Sequence, residues 1–348
     1  MPRLVRFVAG VVLILSAINC GHVPSQTGQQ AASSVRSSSP VETPSPTVSL
    51  CSSQGPSPRT YVGAAYDQLH RVTVVFGGDL YPTPTTSTAS TSETWIFDGH
   101  CWDQLHPATT PSARSVRDGM VFDPIVGKVL LVGGSAVGSG GSFPGDAWLW
   151  DGSNWIQLIG APAFKNPIVA YDQERKVVVV YSSDGNGAQT WTWDGSLWMK
   201  RSPAHTPPPR DDGAICYDDR RQTTLLFGGW DGVEALDDTW SWNGVDWSQD
   251  HPATVPQARF GAVLSCGSAG VILVGGEVSH SPANDVWTWD GNTWSQQTSS
   301  SLPTALSGAA GVFDGSRYLV LLGIRNIGPQ QSEVLAYDGS TWTTLTTS

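Results

Sequence analysis

The stretch TWTWDGSLW, residues 190–198, surrounds an Asp-Gly pair with three tryptophans and decides the fold that we predict. Trp191 and Trp193 are two residues apart, so a β-strand would place both side chains on one face. The Asp-Gly pair favours a tight turn that reverses the chain, after which Trp198 can pack on the same face of the sheet or on its neighbour. The stretch therefore predicts a β-hairpin rich in tryptophan.

This hairpin recurs six times along the chain, and its copies hold fifteen of the sixteen tryptophans. The closing tryptophans follow one another at intervals of 53, 43, 49, 47 and 48 residues, a period that is typical of propellers and solenoids. We interpret these side chains as core residues, with sugar stacking as the alternative. The closing residues are Trp102, Trp155, Trp198, Trp247, Trp294 and Trp342.

Two further short apolar stretches precede each hairpin. The first ends in an aromatic-Asp pair in five units, as in GAAYD at 63–67, and the second ends in a glycine doublet in four units, as in VLLVGG at 129–134. Each unit then contains four antiparallel strands, which is the composition of a propeller blade. We predict an all-β fold, a six-bladed β-propeller of four-stranded antiparallel blades. The predicted blades are 58–110, 111–161, 162–207, 208–255, 256–302 and 303–348.

The units resemble the repeat of the kelch family of β-propellers. The resemblance rests on the glycine doublet after the second strand, the aromatic residue before the Asp-Gly turn, and the closing tryptophan. WD-repeat propellers have a shorter period, and the Asp box of sialidases separates its Asp and Gly, so both fit less well. The doublets are Gly77-Gly78, Gly133-Gly134, Gly228-Gly229 and Gly275-Gly276.

Two units depart from the kelch pattern, because Tyr181-Ser182-Ser183 and a lone Gly323 stand where the doublets belong. We expect both blades to form, with different turns. Galactose oxidases are also built on kelch propellers, but their copper site needs paired histidines and a tyrosine crosslinked to cysteine, and this chain has no Tyr-His pair. The resemblance thus implies a galactose-oxidase-like propeller without the copper-site residues, and a shared fold does not imply the reaction.

The first twenty residues predict a secretory signal peptide, because Arg3 and Arg6 precede an apolar run at 7–18 that is too short to span a bilayer. The run ends at Cys20, which resembles the acylated cysteine of bacterial lipoproteins. Ala17 and Asn19 depart from the usual lipoprotein box, so a plain cleaved signal and an unmodified anchor stay open as alternatives.

Residues 21–57 are rich in Ser, Thr, Pro and Gln and have few large apolar side chains, which predicts a disordered tether. The propeller is then expected to fill residues 58–348. We expect an exported, extracytoplasmic protein on the cell surface, attached to the membrane only through the lipid at Cys20.

The composition argues against several classes of function. The formal net charge of −11, with no cluster of Lys and Arg, argues against a nucleic-acid partner. His106 and His251 occupy one repeat position, and the remaining histidines show no spacing of metal ligands. No nucleophile elbow or phosphate-binding loop is present. We therefore expect no catalytic residue, no metal site and no cofactor.

Four cysteines besides Cys20 suit an exported chain with disulfides. We predict a bridge between Cys51 and Cys101, which would fasten the end of the tether to the first blade. Cys216 and Cys266 lie one register apart on equivalent strands of neighbouring units, so we expect them to be too distant for a bridge and to be buried free thiols.

A ligand site is expected where the sequence varies most. In a four-stranded meander the loops between second and third strands and the connections between units share one face, which we call the loop face; the first hairpin turns and the Asp-Gly turns share the other, the turn face. Trp230 is the one tryptophan outside the repeat. We interpret it as an exposed aromatic platform for a ligand; the alternative is a loop that folds onto its own blade. The predicted loop-face residues are Trp230, Asp231, Glu234, Tyr81, His280 and Arg325.

These features predict a monomeric, non-catalytic module of the cell envelope that binds a protein or a glycan through its loop face. The alternative is a carbohydrate-active enzyme, similar to a sugar oxidase or a sialic-acid epimerase, that uses Asp231 or Glu234. A purely structural envelope protein is the third possibility. Each blade can take its strands from its own repeat, unless TVSLC at 47–51 adds one. Arg59, Arg210 and Arg259 occupy matching positions and are expected to order the connections between blades through carbonyl oxygens.

Overall fold

The computed structural model describes residues 55–80, 89–135, 145–184, 187–323 and 333–345, all within the unit Ser49–Ser348. The described residues form six four-stranded antiparallel sheets and two small sheets. No helix among them has the length and apolar character to cross a membrane. The predicted signal peptide, Cys20 and the tether up to residue 54 lie outside the described residues.

The strands follow the repeat units. Unit 1 contains β1 (Arg59–Thr60), β2 (Gly63–Asp67), β3 (Val72–Phe76), β4 (Asp79–Leu80), β5 (Ala89–Ser90), β6 (Thr94–Phe97) and β7 (Trp102–Leu105). Unit 2 contains β8 (Met120–Asp123), β9 (Lys128–Val132), β10 (Ala147–Trp150) and β11 (Trp155–Leu158), and unit 3 contains β12 (Ile168–Asp172), β13 (Val177–Asp184), β14 (Gly187–Trp193) and β15 (Trp198–Lys200). Unit 4 contains β16 (Ala214–Asp218), β17 (Thr223–Trp230), β18 (Ala235–Trp242) and β19 (Trp247–Asp250). Unit 5 contains β20 (Val263–Gly267), β21 (Gly270–Val274), β22 (Glu277–Val278), β23 (Ser281–Pro282), β24 (Val286–Trp289) and β25 (Trp294–Gln296), and unit 6 contains β26 (Ala310–Phe313), β27 (Tyr318–Leu321), β28 (Val334–Tyr337) and β29 (Trp342–Leu345).

Each unit forms one four-stranded sheet in which every strand pairs with the next, and we number these sheets 1 to 6. The prediction of an all-β chain built from four-stranded antiparallel sheets is confirmed, and the sheets are consistent with propeller blades. Sheets 3 and 6 form although their glycine doublets are incomplete, as expected. In sheet 3, β13 and β14 extend through this region and pair as far as Asp184 and Gly187.

The hairpin at 190–198 shows why its sequence repeats. The carboxylate of Asp194 accepts hydrogen bonds from the backbone N–H of Ser196 (2.9 Å) and Leu197 (2.8 Å), and Gly195 adopts a φ of +94° that favours glycine. The turn pairs Trp193 with Trp198, whose rings stack with centroids 5.7 Å apart. Turn chemistry and aromatic packing therefore select the same short sequence in every unit.

Hydrophobic clusters join each sheet to the next. Five clusters combine residues of consecutive sheets, for example Val132 of sheet 2 with Val180 of sheet 3. A sixth cluster combines Val75 and Trp102 of sheet 1 with Leu321 of sheet 6. Among the described residues, sheet 1 therefore packs against both sheet 2 and sheet 6.

Buried arginines fasten four of the connections between units. Arg114 is fully buried, and its Nη1 donates to the carbonyl of Gly133 at 2.9 Å and pairs with the Asp146 carboxylate. The same carboxylate accepts the indole N–H of Trp148 at 2.8 Å. The equivalent arginines are Arg59, Arg210 and Arg259, paired with Glu93, Asp238 and Asp285. The carbonyl contacts match the sequence-based expectation, which omitted Arg114 and the carboxylates.

Unit 3 replaces both members of this pair. Phe164 occupies the arginine position and its ring contacts those of Trp191 and Trp198, with centroids 5.9 and 5.4 Å apart. Gln189 stands in place of the carboxylate and accepts the indole N–H of Trp191 at 3.1 Å. Because a buried carboxylate without its arginine would be costly, the neutral Gln189 accompanies the apolar Phe164.

The expectation that Cys216 and Cys266 are free thiols is wrong. They form a disulfide that joins β16 of sheet 4 to β20 of sheet 5, with Cα atoms 5.7 Å apart. The first strands of neighbouring sheets lie side by side, so a one-residue difference in register still leaves the two Cα atoms within bridging distance. The predicted partner of Cys101, Cys51, lies outside the described residues, and that bridge stays a prediction.

Candidate functional site

The loop face carries the residues predicted to bind a ligand. Tyr81 and Arg325 lie outside the described residues. Trp230, Asp231 and Glu234 lie together in the hairpin of β17 and β18, where Trp230 pairs with Ala235. The stretch that the sequence predicted as a loop is therefore the end of a long hairpin.

Asp231 shapes the turn of this hairpin. Its Oδ1 accepts hydrogen bonds from the backbone N–H of Glu234 (2.8 Å) and Val233 (2.7 Å), and these bonds lower the pKa of the carboxyl group below its usual value. Both Asp231 and Glu234 are exposed. A carboxylate held in this way is ionised at neutral pH, which suits a hydrogen-bond acceptor more than a general acid.

Trp230 is partly exposed and is anchored on two sides. Its backbone exchanges hydrogen bonds with Asp211, at 2.7 and 2.8 Å. Its ring meets that of Phe260, in the connection to the next unit, with centroids 5.5 Å apart and planes at 67°. The indole is thus held rigidly while part of it faces solvent, which suits contact with a ligand.

A second hairpin flanks Phe260 on its other side. The backbone N–H of Glu277 at the start of β22 donates to the Phe260 carbonyl at 2.8 Å. Ser279 and His280 form the two-residue turn between β22 and β23, with φ of +50° and +65°. His280 is therefore an exposed residue at the tip of a tight turn. Phe260, which the sequence did not single out, links the two predicted parts of the site.

Equivalent residues with positive φ precede the first strand of every sheet, and we call these six the junction residues. Backbone hydrogen bonds connect them from unit to unit: Gly308 N–H to Gly261 O and Gly261 N–H to Asp212 O, both 3.0 Å, and Tyr61 N–H to Gly308 O, 2.8 Å. Glycine occupies two of the positions and larger residues occupy four. The junction residues are Tyr61, Arg117, Asn166, Asp212, Gly261 and Gly308, with φ between +42° and +62°.

The side chains of the junction residues form a polar cluster. The Arg117 guanidinium lies 4.3 Å above the centre of the Tyr61 ring and pairs with the Asp212 carboxylate. The side-chain amide of Asn166 donates to Asp211 at 3.1 Å, and Asp211 is the residue that bridges to Trp230. The cluster and the Trp230 hairpin therefore form one continuous part of the loop face.

Asp118 follows Arg117 and has a perturbed carboxyl group. Burial among protein atoms raises its pKa to about 7, although the Arg117 charge acts in the opposite direction. Hydrogen bonds from described residues make no contribution to this shift. A carboxyl group that titrates near neutrality can exchange a proton with a bound ligand.

A cavity of about 660 Å³ lies among the first strands of the six sheets. Its lining runs from the middle of each first strand to exposed residues of the following turn, such as Gln68, Pro124 and Gln173, so it opens on the turn face. Aromatic side chains stand at equivalent places near this opening in five units, and Cys266 takes that place in unit 5. These aromatic residues are Tyr66, Phe122, Tyr171, Tyr217 and Phe313.

Sequence reasoning missed the junction residues and the cavity for different reasons. The junction position varies among tyrosine, arginine, asparagine, aspartate and glycine while its neighbours repeat, and this contrast was available as a signal. The cavity depends on the spacing between sheets, which no local pattern encodes. In the ranges that the structure describes, no group of three or more His, Cys, Asp or Glu side chains is placed to hold a metal ion.

No protein-family model matches this chain, and no curated protein is significantly similar to it.

Proposed function

We propose that the chain is a kelch-type, six-bladed β-propeller whose ring closes between sheets 6 and 1. Three contacts support closure: the shared hydrophobic cluster, the hydrogen bond from Tyr61 to Gly308, and a turn-face contact. The turn-face contact is that of Arg317 in sheet 6 with Gly99 in sheet 1. Arg175 of sheet 3 contacts Gly244 of sheet 4 in the same way. Sheet 6 thus meets sheet 1 as other neighbours meet.

The protein functions, in this proposal, as a non-catalytic module that binds a protein or a glycan through its loop face. The observation that carries the proposal is the set of junction residues. Holding a residue other than glycine at positive φ costs on the order of 1 kcal/mol or more, and such strain is concentrated at functional sites. Units 5 and 6 use glycine at this position, whereas Tyr61 and Arg117 occupy it with large side chains that meet each other.

Export and attachment belong to the same proposal. Cleavage before Cys20, acylation of that cysteine and a flexible tether at 21–57 would place a monomeric propeller outside the cell, joined to the membrane by its N-terminus alone. The disulfide between Cys216 and Cys266 supports an oxidising location, because such bonds are rare in the cytosol.

A thermal-shift screen of the full chain against soluble glycans, peptidoglycan fragments and short peptides tests the binding function. A ligand that binds the folded state raises the melting temperature by mass action. We expect at least one shift that disappears in Arg117→Ala and in Trp230→Ala and persists in Val245→Ala, an exposed control position in the turn between β18 and β19 on the opposite face. If every observed shift survives both loop-face substitutions, a loop-face site is contradicted.

Asp118 favours the second candidate, a carbohydrate-active enzyme. The carboxyl group lies near the Arg117 charge, and burial raises its pKa to about 7, as a general acid or base requires. Asp231, the carboxylate first considered for this role, is engaged by its own turn. Turnover of an oligosaccharide by the wild type, lost in Asp118→Asn while the melting temperature is kept, would establish the enzyme and exclude the non-catalytic module.

A further inference from the structure

The wall of the cavity consists of sheet edges. Each first strand is the terminal strand of its sheet and pairs on one side only. Its other edge, with backbone N–H and C=O groups, lies along the cavity. Buried backbone groups need hydrogen-bond partners, so this wall requires water or a ligand that can replace water. The wall is therefore polar even where its side chains are small and apolar, as at Ala64 and Gly311. Val169 is an exception, because its backbone N–H donates to the carbonyl of Asp118 at 2.9 Å.

The mouth of the cavity combines aromatic and polar side chains. Tyr66, Tyr171 and Tyr217 are partly exposed there. The exposed amides of Gln68 and Gln173 each stand one residue beyond the end of the first strand of their sheet. A phenol ring offers an apolar face and a polar tip, and an amide offers both donors and an acceptor.

The charges around the mouth are largely balanced. The turn arginines Arg175, Arg221 and Arg317 each pair with an aspartate three residues earlier in the chain. The exposed neighbours Asp219 and Arg220 add one charge of each sign. The mouth therefore has no strong preference for an anion or a cation.

We propose that this cavity binds the end of a neutral oligosaccharide that enters from the turn face, at a site separate from the loop face. Sugar hydroxyl groups can replace water on the strand edges, and the C–H faces of the sugar ring can pack on Tyr66, Tyr171 and Tyr217. An alkyl chain of the same volume would displace this water without offering hydrogen bonds in return. The volume of about 660 Å³ suits a ligand of small-molecule size.

Calorimetric titration of the full-length protein with maltotriose, cellotriose and N,N′,N″-triacetylchitotriose, at up to about 10 mM, tests the proposal at the weak affinities expected for short ligands. We expect at least one trisaccharide to bind. Its affinity should fall about tenfold in Tyr171→Ala, which removes the aromatic face, and by less than about threefold in Tyr171→Phe, which keeps it.

Gln173→Ala provides a second variant, because this side chain is exposed and its loss should weaken binding without lowering the melting temperature. Trp230→Ala is the matched control on the loop face and should leave the affinity unchanged. The proposal is overturned if none of the three trisaccharides binds, if both cavity variants bind as the wild type does, or if binding is lost in Trp230→Ala. Binding of decanoate in preference to every sugar would overturn the ligand class. The loop-face proposal stands or fails separately, through Arg117→Ala.

Discussion

Removal of the Cys216–Cys266 disulfide should destabilise the protein by a predictable amount. The bond joins the first strands of sheets 4 and 5 across 50 residues of sequence. In the chain-entropy description, closing a loop of about 50 residues in the unfolded state stabilises the fold by about 4 kcal/mol at 25 °C. For a folded unit of about 290 residues this corresponds to a melting temperature lower by about 7 °C.

The perturbation is the double substitution C216A/C266A, followed by calorimetric melting without reductant. C51A/C101A is a matched comparison, because those cysteines are also 50 residues apart. C51A/C101A keeps the Cys216–Cys266 bond. Reductant should therefore lower the melting temperature of this variant by most of the decrease expected for C216A/C266A. If C216A/C266A melts within about 1 °C of the oxidised wild type, loop closure does not stabilise this fold in the way described.

Three further predictions follow from named contacts. Trp155 donates its indole N–H to Thr94 of the preceding sheet at 2.9 Å. The buried indole N–H of Trp102 has no hydrogen-bond partner among the described residues, and Val334, in the same cluster, stands at the place equivalent to Thr94. Val334→Thr should therefore raise the unfolding free energy by about 1 kcal/mol in urea melts, and Thr94→Val should lower it by at least as much. A lower stability of Val334→Thr would argue against the proposed closure between sheets 6 and 1. Gly228→Ala should cost about 1–3 kcal/mol, because the new methyl group would lie 2.6 Å from the backbone carbonyl oxygen of Arg259, which cannot move aside as a side chain can. The loss should exceed that in Gly160→Ala, where φ is also positive but the new methyl group meets no atom within 4 Å; equal losses would assign the cost to φ alone. Burial acts to raise the pKa of Asp285, but the hydrogen bonds from Arg259 and Trp287 and the Arg259 charge lower it overall. The ion pair therefore stabilises the fold at pH values above the unfolded pKa of about 4, and this contribution is lost as the pH falls below that value. Urea melts at pH 3 to 7 should show this loss in the wild type and a smaller one in Asp285→Asn.

The sequence predicted what depends on local patterns. The Asp-Gly turns, the alternating tryptophans and the apolar strands recur with one period, so four strands per unit could be assigned even in units 3 and 6. The partner carboxylates of the buried arginines were also within reach, since each stands two residues before a tryptophan, as Asp146 stands before Trp148. The sequence did not reveal them, because the apolar and turn positions define the repeat and these carboxylates belong to neither group.

Local sequence patterns could not predict the distances between sheets. Cys216 and Cys266 bridge because two first strands lie closer together than their register suggests, and the cavity exists because six such strands enclose a space. At the loop face, the turn around Trp230, Asp231 and Glu234 follows from one continuous stretch, whereas its contact with Phe260 comes from the next unit. The predicted roles of Tyr81 and Arg325 stay predictions.

The start of the folded unit is held by several units at once. The carbonyl of Arg59 accepts the N–H of Gly323, the N–H of Tyr61 donates to Gly308, and the carbonyl of Tyr61 accepts the N–H of Arg117. Residues of units 6 and 2 thus form hydrogen bonds with the segment 59–61, at the start of the folded unit. A pulling force applied through the chain that precedes Arg59 would load these hydrogen bonds together. The folded unit would then resist the force through contacts on both sides of this segment, and one sheet would not separate strand by strand from its edge.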